Sequence, residues 1–215
     1  MRIATKILSI IFVIFIMISS SYASEPIRWY FKKTTDHTQP MLDSYLVRAG
    51  EHKNLIWIDK NNSSFGSEKK KIYLTFDAGY EDGNVEKILD VLKEENVKAT
   101  FFILENLITS NKELVGRMIS EGHLIGNHTC RHKNMSKVAD IELFRRELSN
   151  LEELFYTTFG VRMSKYYRPP EGCFSMDNLE WAEQLGYKTV MWSFAYADWD
   201  CNKQIGCNKR FGNGF

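Results

Sequence analysis

Four polar side chains follow apolar segments of the kind that form buried β-strands. Asp77 follows "IYLTF", His128 follows "HLIGN", Arg168 follows "YY", and Asp198 lies beyond "TVMWS". In β/α proteins, side chains at the carboxyl ends of the strands line the functional site. The shared placement predicts that these four side chains lie together, and it is stronger evidence than any one of them.

A second histidine lies four residues after the first, in "HTCRH". His128 and His132 would lie on one face if this segment were helical, and neutral imidazole is a common ligand of zinc and related metals. The spacing alone is weak evidence, because surface or capping histidines can produce it. Its position after a predicted buried strand strengthens the metal interpretation.

Asp77 and Arg168 each have an ordinary explanation when taken alone, as a cap or loop residue and as a salt-bridge partner. Together they indicate a carboxylate that a guanidinium keeps ionised and oriented as a base. Asp198 and the adjacent Trp199 could equally be the end of a strand with a packing indole.

The hydrophobic pattern from Ile72 onwards predicts strands that alternate with helices. The predicted strands are "IYLTF", "VKATFFIL", "HLIGN", "YYR" and "YKTVMW", and the predicted helices are "VEKILDVLKEE", Lys112–Glu121, Asp140–Phe159 and "SMDNLEWAEQLG". This alternation predicts an α/β fold with a parallel sheet or a β/α barrel. About five strands are predicted, fewer than a closed eight-stranded barrel contains.

Length and composition indicate one folded domain. The chain has 215 residues, and 28 Lys+Arg against 27 Asp+Glu leave a net charge of +1, which argues against electrostatic capture of nucleic acid. Residues 1–23 are predicted to be a signal peptide cleaved after Ala23. An uncleaved membrane anchor is the alternative, but the apolar run is short of the roughly 20 residues of a bilayer span.

The rest of the chain is predicted to have three parts. Residues 24–71 form an N-terminal arm packed on the main domain by its aromatic side chains, residues 72–199 form the domain itself, and residues 200–215 are an irregular tail. Cys130 and Cys173 are interpreted as unpaired thiols, whereas a disulfide between Cys201 and Cys207 is left open.

Four segments in this order, "TFDAG", "HTCRH", "RPPEG" and "ADW", resemble the polysaccharide deacetylases, the carbohydrate esterase group with the chitooligosaccharide deacetylase homology domain. The resemblance extends from about Lys71 to Trp199. Within this group, "IYLTFDAGYEDG", "EGHLIGNHT", "YYRPPEG" and "RWYFKK" are most similar to the delta-lactam-biosynthetic de-N-acetylases of spore-forming bacteria. These enzymes remove the acetyl group from N-acetylmuramic acid in spore-cortex peptidoglycan, which allows muramic delta-lactam to form.

The resemblance implies an irregular β/α barrel and a role for each matching residue. Asp77 would be the catalytic base, oriented by Arg168, and His128 and His132 would bind a divalent metal, zinc or manganese. The metal would polarise the acetyl carbonyl and acidify a water, whose proton the base accepts.

Further residues have implied roles beside the reacting groups. Pro170 and Gly172 would shape the wall of the groove. Asp198 and Trp199 would belong to the family's fourth motif, with the carboxylate supporting an acid histidine and the indole contacting substrate. The implied partner is the glycan strand of peptidoglycan, encountered as a secreted or cell-envelope protein with no stable membrane span after signal cleavage.

Two departures from the family pattern bear on activity. Most members have a second aspartate after the base as a metal ligand, and Ala78 stands there, so we expect the metal to bind weakly. The delta-lactam enzymes tend to lack that aspartate as well. The family's last motif supplies a general-acid histidine, and no histidine follows Asp198.

The second departure predicts a chain truncated before its closing strands. Val190 and Trp192 would then lie on a strand whose outer edge has no partner, which favours association. On this interpretation the chain is poorly soluble or partly folded and releases no acetate. An inactive carbohydrate-binding remnant of such a deacetylase is the alternative function, and a metal-dependent peptidase is disfavoured because no HExxH motif occurs.

Overall fold

The computed structural model describes residues 24–34, 39–60 and 71–195. Its strands are β1 (Ile27–Arg28), β2 (Leu55–Ile56), β3 (Thr75–Ala78), β4 (Thr100–Ile103), β5 (Leu124–Asn127), β6 (Tyr166–Tyr167), β7 (Cys173–Phe174) and β8 (Lys188–Val190). Six of them form a parallel sheet in the order β2-β8-β6-β5-β4-β3, and β1 pairs with β7 in a separate antiparallel ribbon. The predicted α/β fold with a parallel sheet is confirmed.

The helices are α1 (Ser44–Gly50), α2 (Asn84–Glu94), α3 (Glu105–Ser110), α4 (Lys112–Ser120), α5 (Ile141–Phe159) and α6 (Met176–Gln184). The sequence predicts four of them, and local capping fixes the ends of two. Asp140 caps α5 by accepting the backbone N–H of Leu143 at 2.8 Å, and Gly160 ends it with a φ of 71°. Ser175 and Asn178 form a capping box at the start of α6.

The central strands β4 and β5 pack against helices on their outer side. In β4, Phe101, Phe102 and Ile103 are fully buried, as expected for a strand covered on both faces. The largest apolar cluster joins this part of the sheet to α2, α3, α4 and α5. A rigid central sheet therefore supports the loops that follow β3, β4, β5 and β6.

Strand β8 has partners on both sides. Leu55 and Ile56 of β2 pair with Thr189 and Val190, and β6 pairs with the other side of β8. The prediction that Val190 lies on a strand without an outer partner is therefore wrong, because the segment "LIWI", assigned from sequence to the arm, supplies the missing neighbour. Trp192 lies beyond the end of β8.

The edges of the sheet lie elsewhere. Among the described residues, β2 and β3 are the two edge strands, so closure of the barrel stays a prediction. Strand β3 begins three residues later than "IYLTF" predicts, because Thr75 is the first residue opposite β4. Ile72 and Tyr73 are 72% and 70% exposed, and Asp77 lies inside the strand instead of after it.

Several predictions concern segments that the structure does not describe. The signal peptide, the tail, Asp198, Trp199, Cys201 and Cys207 all lie outside the described residues, and the proposed division of the chain stays a prediction. Cys130 and Cys173 are buried and unpaired, as predicted. No helix in the described part of the chain combines the length and apolar character that a bilayer span requires.

Candidate active site

Asp77 and Arg168 form an ion pair at the carboxyl end of the sheet. Arg168 Nη1 donates to Asp77 Oδ1 at 2.7 Å, and Nη2 donates to Thr75 Oγ1 at 2.8 Å. The third guanidinium nitrogen, Nε, donates to the carbonyl of Val190 at 3.1 Å. Because these bonds reach β3 on one side and β8 on the other, the guanidinium has a fixed place inside the sheet and holds the carboxylate in one orientation.

Arg168 is buried with its charge partnered and its flat faces covered. It follows β6, where its backbone N–H donates to Asn127 O at 3.0 Å, and only 3% of the residue is exposed. The guanidinium carbon lies 4.2 Å from the centre of the Phe102 ring and 5.7 Å from that of Trp192, distances typical of cation–π contacts. Side-chain motion of Arg168 is therefore strongly restricted.

His128 faces Oδ2 of the Asp77 carboxylate, the oxygen that Arg168 does not contact. Its Nδ1 is 2.9 Å from the backbone carbonyl of Arg168, so Nδ1 carries the proton and donates it. The other nitrogen, Nε2, then has a free lone pair, and it lies 3.8 Å from Asp77 Oδ2. Burial lowers the pKa of His128, with Asp77 opposing that shift, so the ring is neutral and able to bind a metal at neutral pH.

His132 reaches the site without a helix. The segment is a loop, because Thr129 and His132 have φ values of 73° and 54°, so the condition for a shared helical face is not met. The two imidazole rings still lie 5.1 Å apart between centroids. Thr129 Oγ1 accepts the N–H of His132 at 3.1 Å, and Asn127 Oδ1 accepts that of Thr129 at 2.9 Å. These local bonds stabilise a backbone shape that ordinary residues rarely adopt.

Ala78 lies away from the polar groups of the site. It is 4% exposed and belongs to the large apolar cluster, whereas the side chain of the preceding Asp77 is 37% exposed. This alternation is that of a β-strand, in which neighbouring side chains point to opposite faces.

Pro170 and Gly172 lie in a short 3-10 turn, Pro170–Gly172, that follows Arg168. Glu171 and Gly172 both have positive φ, 57° and 65°. A Cβ on Gly172 would lie 2.7 Å from the Trp192 ring, so glycine permits close contact between the turn and this indole. Both predicted wall residues are buried beside the site, and their roles toward substrate remain proposals.

Three contributors were missed from the sequence. Thr75 and Asn127 lie within the quoted segments "TFDAG" and "HLIGN" but are given no role there, and Trp192 is predicted only as part of a strand. Their single available signal was proximity in sequence to Asp77, His128 and β8, respectively. The long-range contacts that make them important are visible only in three dimensions.

An α/β fold with a carboxylate, a guanidinium and two imidazoles at its carboxyl edge defines a candidate hydrolase of the deacetylase class. The family model described as polysaccharide deacetylase matches residues 66–190, and the chain belongs to this family of hydrolytic carbohydrate de-N-acetylases. The match spans more than half of the chain and contains Asp77, His128, His132 and Arg168.

Individual relatives extend this similarity. The chain is 40% identical over 186 residues to the peptidoglycan-N-acetylmuramic acid deacetylase PdaA of Bacillus subtilis, covering 85% of this chain and 67% of that protein. It is 36% identical over 197 residues to an uncharacterised 30.6 kDa protein of Geobacillus stearothermophilus, covering 91% and 71%, respectively. The solved structure of Bacillus subtilis PdaA, a family 4 carbohydrate esterase, superposes with a TM-score of 0.75 and 37% identity, covering 84% of this chain and 74% of the other.

Deacetylases of this family are metalloenzymes in general. His128 and His132 fit as a pair of nitrogen ligands, because the Nδ1 bond of His128 leaves Nε2 unprotonated. Catalytic zinc usually takes three protein ligands, and within the described residues no group of three or more His, Cys, Asp or Glu is arranged to hold a metal. Ala78 cannot contribute one, so weak binding stays our prediction.

Proposed function

We propose that this protein hydrolyses the acetamide of N-acetylmuramic acid in peptidoglycan, a step toward muramic delta-lactam in the spore cortex. The observation that supports this most directly is the Asp77 carboxylate, held by Arg168 at 2.7 Å and facing His128 Nε2 at 3.8 Å. The 40% identity to a muramic acid deacetylase supports the choice of sugar. Deacetylase activity on a carbohydrate, without the choice of sugar, follows from the family itself.

Asp77 is the proposed general base. Its Oδ1 is occupied by Arg168, which leaves Oδ2 available to accept a proton, and the partly exposed side chain can be reached by water. Proton acceptance by a positioned carboxylate contributes about 10²–10⁴-fold to a rate.

His128 and His132 are the residues that would hold a divalent cation, zinc or manganese. When bound, such a cation polarises the acetyl carbonyl and lowers the pKa of water. In the hydrolysis, the oxygen of water adds to the carbonyl carbon and Asp77 takes its proton. The C–N bond then breaks as the proton held by Asp77 passes to the departing amine, acetate is released, and Asp77 is again a free carboxylate.

The remaining predicted residues have supporting roles in this proposal. Pro170 and Gly172 shape the groove wall beside Trp192. Asp198 supports protonation of the departing amine, and Trp199 contacts the substrate. The substrate is the glycan strand, so the proposed place of action is the cell envelope, on the outer side of the membrane.

Muropeptide analysis tests both the chemistry and the sugar. Purified protein incubated with cortex peptidoglycan and either zinc or manganese should release acetate and yield muropeptides that lack one acetyl group on muramic acid. Asp77→Asn should lower the rate by about 10²–10⁴-fold while the protein stays folded and keeps its binding to glycan. Asp82→Asn, in the exposed loop after β3, is the matched control and should retain activity.

Two results would contradict the proposal. Retained deacetylation in Asp77→Asn would remove this carboxylate from the mechanism. Loss of acetyl groups from glucosamine in place of muramic acid would overturn the substrate assignment.

A further inference from the structure

Trp29, from the N-terminal segment, touches two loops that lead into the active site. Its backbone N–H donates to the carbonyl of Gly172 at 2.9 Å, and its indole Nε1–H donates to the carbonyl of Trp192 at 2.9 Å. The residue is only 4% exposed. One residue, through its backbone N–H and its indole, therefore connects the turn after β6 with the segment after β8.

The contacts of Trp29 are anchored by the strand that precedes it. Strand β1 pairs antiparallel with β7, so Arg28 lies opposite Cys173 and Trp29 comes next to Gly172. The indole packs against the rings of Trp57 and Phe174 at 5.6 and 6.5 Å between centroids. Because the β1–β7 ribbon fixes the backbone of Trp29 and the neighbouring rings fix its indole, the indole N–H has a defined direction.

Both loops that Trp29 touches are linked to Arg168, one through the chain and the other through space. The turn Pro170–Gly172 begins two residues after Arg168, and the Trp192 ring lies 5.7 Å from its guanidinium carbon. The carbonyl of Val190, two residues before Trp192, accepts Arg168 Nε–H at 3.1 Å. A displacement of either loop would therefore move the guanidinium relative to Asp77.

The turn itself needs support. Glu171 is a non-glycine residue with φ of 57°, followed by Gly172 with φ of 65°, and a left-handed backbone of this kind persists only where surrounding contacts fix it. The bond from Trp29 N–H to Gly172 O is one such contact. The Trp192 ring, packed where a Gly172 Cβ would stand, is another.

We propose that Trp29 is a positioning residue for the deacetylation reaction: by bracing Gly172 and Trp192 it holds the Arg168 guanidinium against the Asp77 carboxylate. This inference rests on the proposed function for its kinetic consequence, but its structural consequence can be measured separately. Trp29 itself does not touch the reacting groups.

The chain provides a matched control in Trp57. Trp57 Nε1–H also donates to a backbone carbonyl, that of Gly50 at 3.3 Å, and its ring contacts Trp29 in the same cluster. Its indole donor bond goes to α1 and not to either active-site loop. Trp29→Phe and Trp57→Phe therefore each remove one indole donor bond while keeping an aromatic ring.

Hydrogen exchange at the Arg168 Nε–H, followed by NMR of the purified full-length protein, is the readout that does not depend on activity. Trp29→Phe should accelerate this exchange about tenfold, the factor expected when one hydrogen bond of ordinary strength is lost, and Trp57→Phe should leave it unchanged. Equal exchange in the two variants would overturn the proposal, whatever their melting temperatures.

Kinetics of acetate release provide the second readout. Trp29→Phe should lower kcat by about 10- to 100-fold, because a small displacement of a positioning group has effects of this size, with KM nearly unchanged. In an Arg168→Lys background the same substitution should have almost no further effect, since the two residues act through one contact. An equal factor in both backgrounds would mean that Trp29 acts through general stability and would overturn the proposal.

The two readouts separate the possible failures. A parent protein that releases no acetate would overturn the proposed function, and the exchange experiment would then decide the positioning role by itself. Acetate release by the parent together with unchanged kcat in Trp29→Phe would overturn the positioning role and leave the function intact.

Discussion

Two buried histidines flank one strand, and the two ends of that strand have different uses. His123 lies directly before β5 and His128 directly after it. Burial lowers the pKa of both rings. What differs is the backbone group that meets Nδ1 and the carboxylate that faces Nε2.

The partner of Nδ1 determines which nitrogen carries the proton. At the carboxyl end, His128 Nδ1 donates to the carbonyl of Arg168 at 2.9 Å, which leaves Nε2 as a free base near Asp77. At the amino end, His123 Nδ1 accepts the N–H of Ala99 at 3.2 Å, so Nε2 must carry the proton. The first tautomer can bind a metal through Nε2 and the second cannot.

The surroundings of His123 are those of a structural residue. Its ring packs edge-on against Phe101 at 5.3 Å between centroids, and Nε2 is 3.8 Å from Glu121 Oε2, beyond hydrogen-bonding distance. Glu121 is itself bonded to Arg117 Nε at 2.6 Å. The amino end of the strand therefore contributes to packing and ion pairing, whereas the carboxyl end presents groups able to do chemistry.

The same substitution at the two ends gives the largest contrast. Asparagine can replace the Nδ1 contact in both places but has no counterpart of Nε2. His128→Asn should therefore lose bound metal and at least about 10²-fold in activity, since even outer partners of metal ligands cost 10–100-fold. His123→Asn should keep both, as measured by acetate release and metal content.

Two outcomes would break this comparison. A similar activity loss in both variants would show that burial of a histidine, and not its tautomer, is what matters at β5. Full activity in His128→Asn would exclude this residue as a ligand.

The sequence predicted this contrast only in part. Strand and helix patterns correctly indicated a parallel sheet, because "VKATFFIL" is a nearly continuous apolar run and the apolar face of α5 repeats over enough residues to show a helical period. Asp77, His128 and Arg168 were identified because each follows a predicted strand in the sequence, although the structure places Asp77 inside β3. The pair formed by Asp77 and Arg168, 91 residues apart, follows from parallel strands ending at one edge.

The remainder depended on features with no sequence period. Strands β1, β2 and β7 have two residues each, too few for alternation to be visible, so the partner of β8 was missed. The left-handed backbone at Thr129 and His132 is stabilised by hydrogen bonds that the side chains of Asn127 and Thr129 accept from the loop. The residue types at the two positions do not by themselves indicate this conformation. His123 was overlooked because a tautomer is decided by a distant carbonyl or N–H.

Position 78 offers an intermediate test at the carboxyl end. Ala78→Asp would place a carboxylate among apolar side chains, so without metal the variant should melt at a lower temperature than the parent protein. Because the side chain at position 78 points to the face opposite Asp77, affinity for zinc or manganese should stay nearly unchanged. Titration calorimetry of both proteins measures this, and a rise of about tenfold, equivalent to ~1.4 kcal/mol, would show that the new carboxylate turns toward His128 and His132 and completes their ligand set.

The smallest expected effect is a pH dependence of stability at the amino end. Burial is the main cause that lowers the pKa of His123, with the charge of Lys98 acting in the same direction and Glu121 opposing it. As the pH falls below the unfolded value of about 6.5, the unfolded chain takes up a proton that the folded chain still excludes. The stability associated with this ring is therefore complete above that pH and is lost as the pH falls toward the folded pKa.

Between about pH 7 and about pH 5, the melting temperature should fall by a few degrees less in His123→Asn than in the parent protein. His52→Asn is the control, because His52 Nδ1 also accepts a backbone N–H, from Asn54 at 3.1 Å, but its ring is only partly buried. Parallel melting curves for the parent and His123→Asn across this range would show that the buried ring at the amino end does not titrate with unfolding.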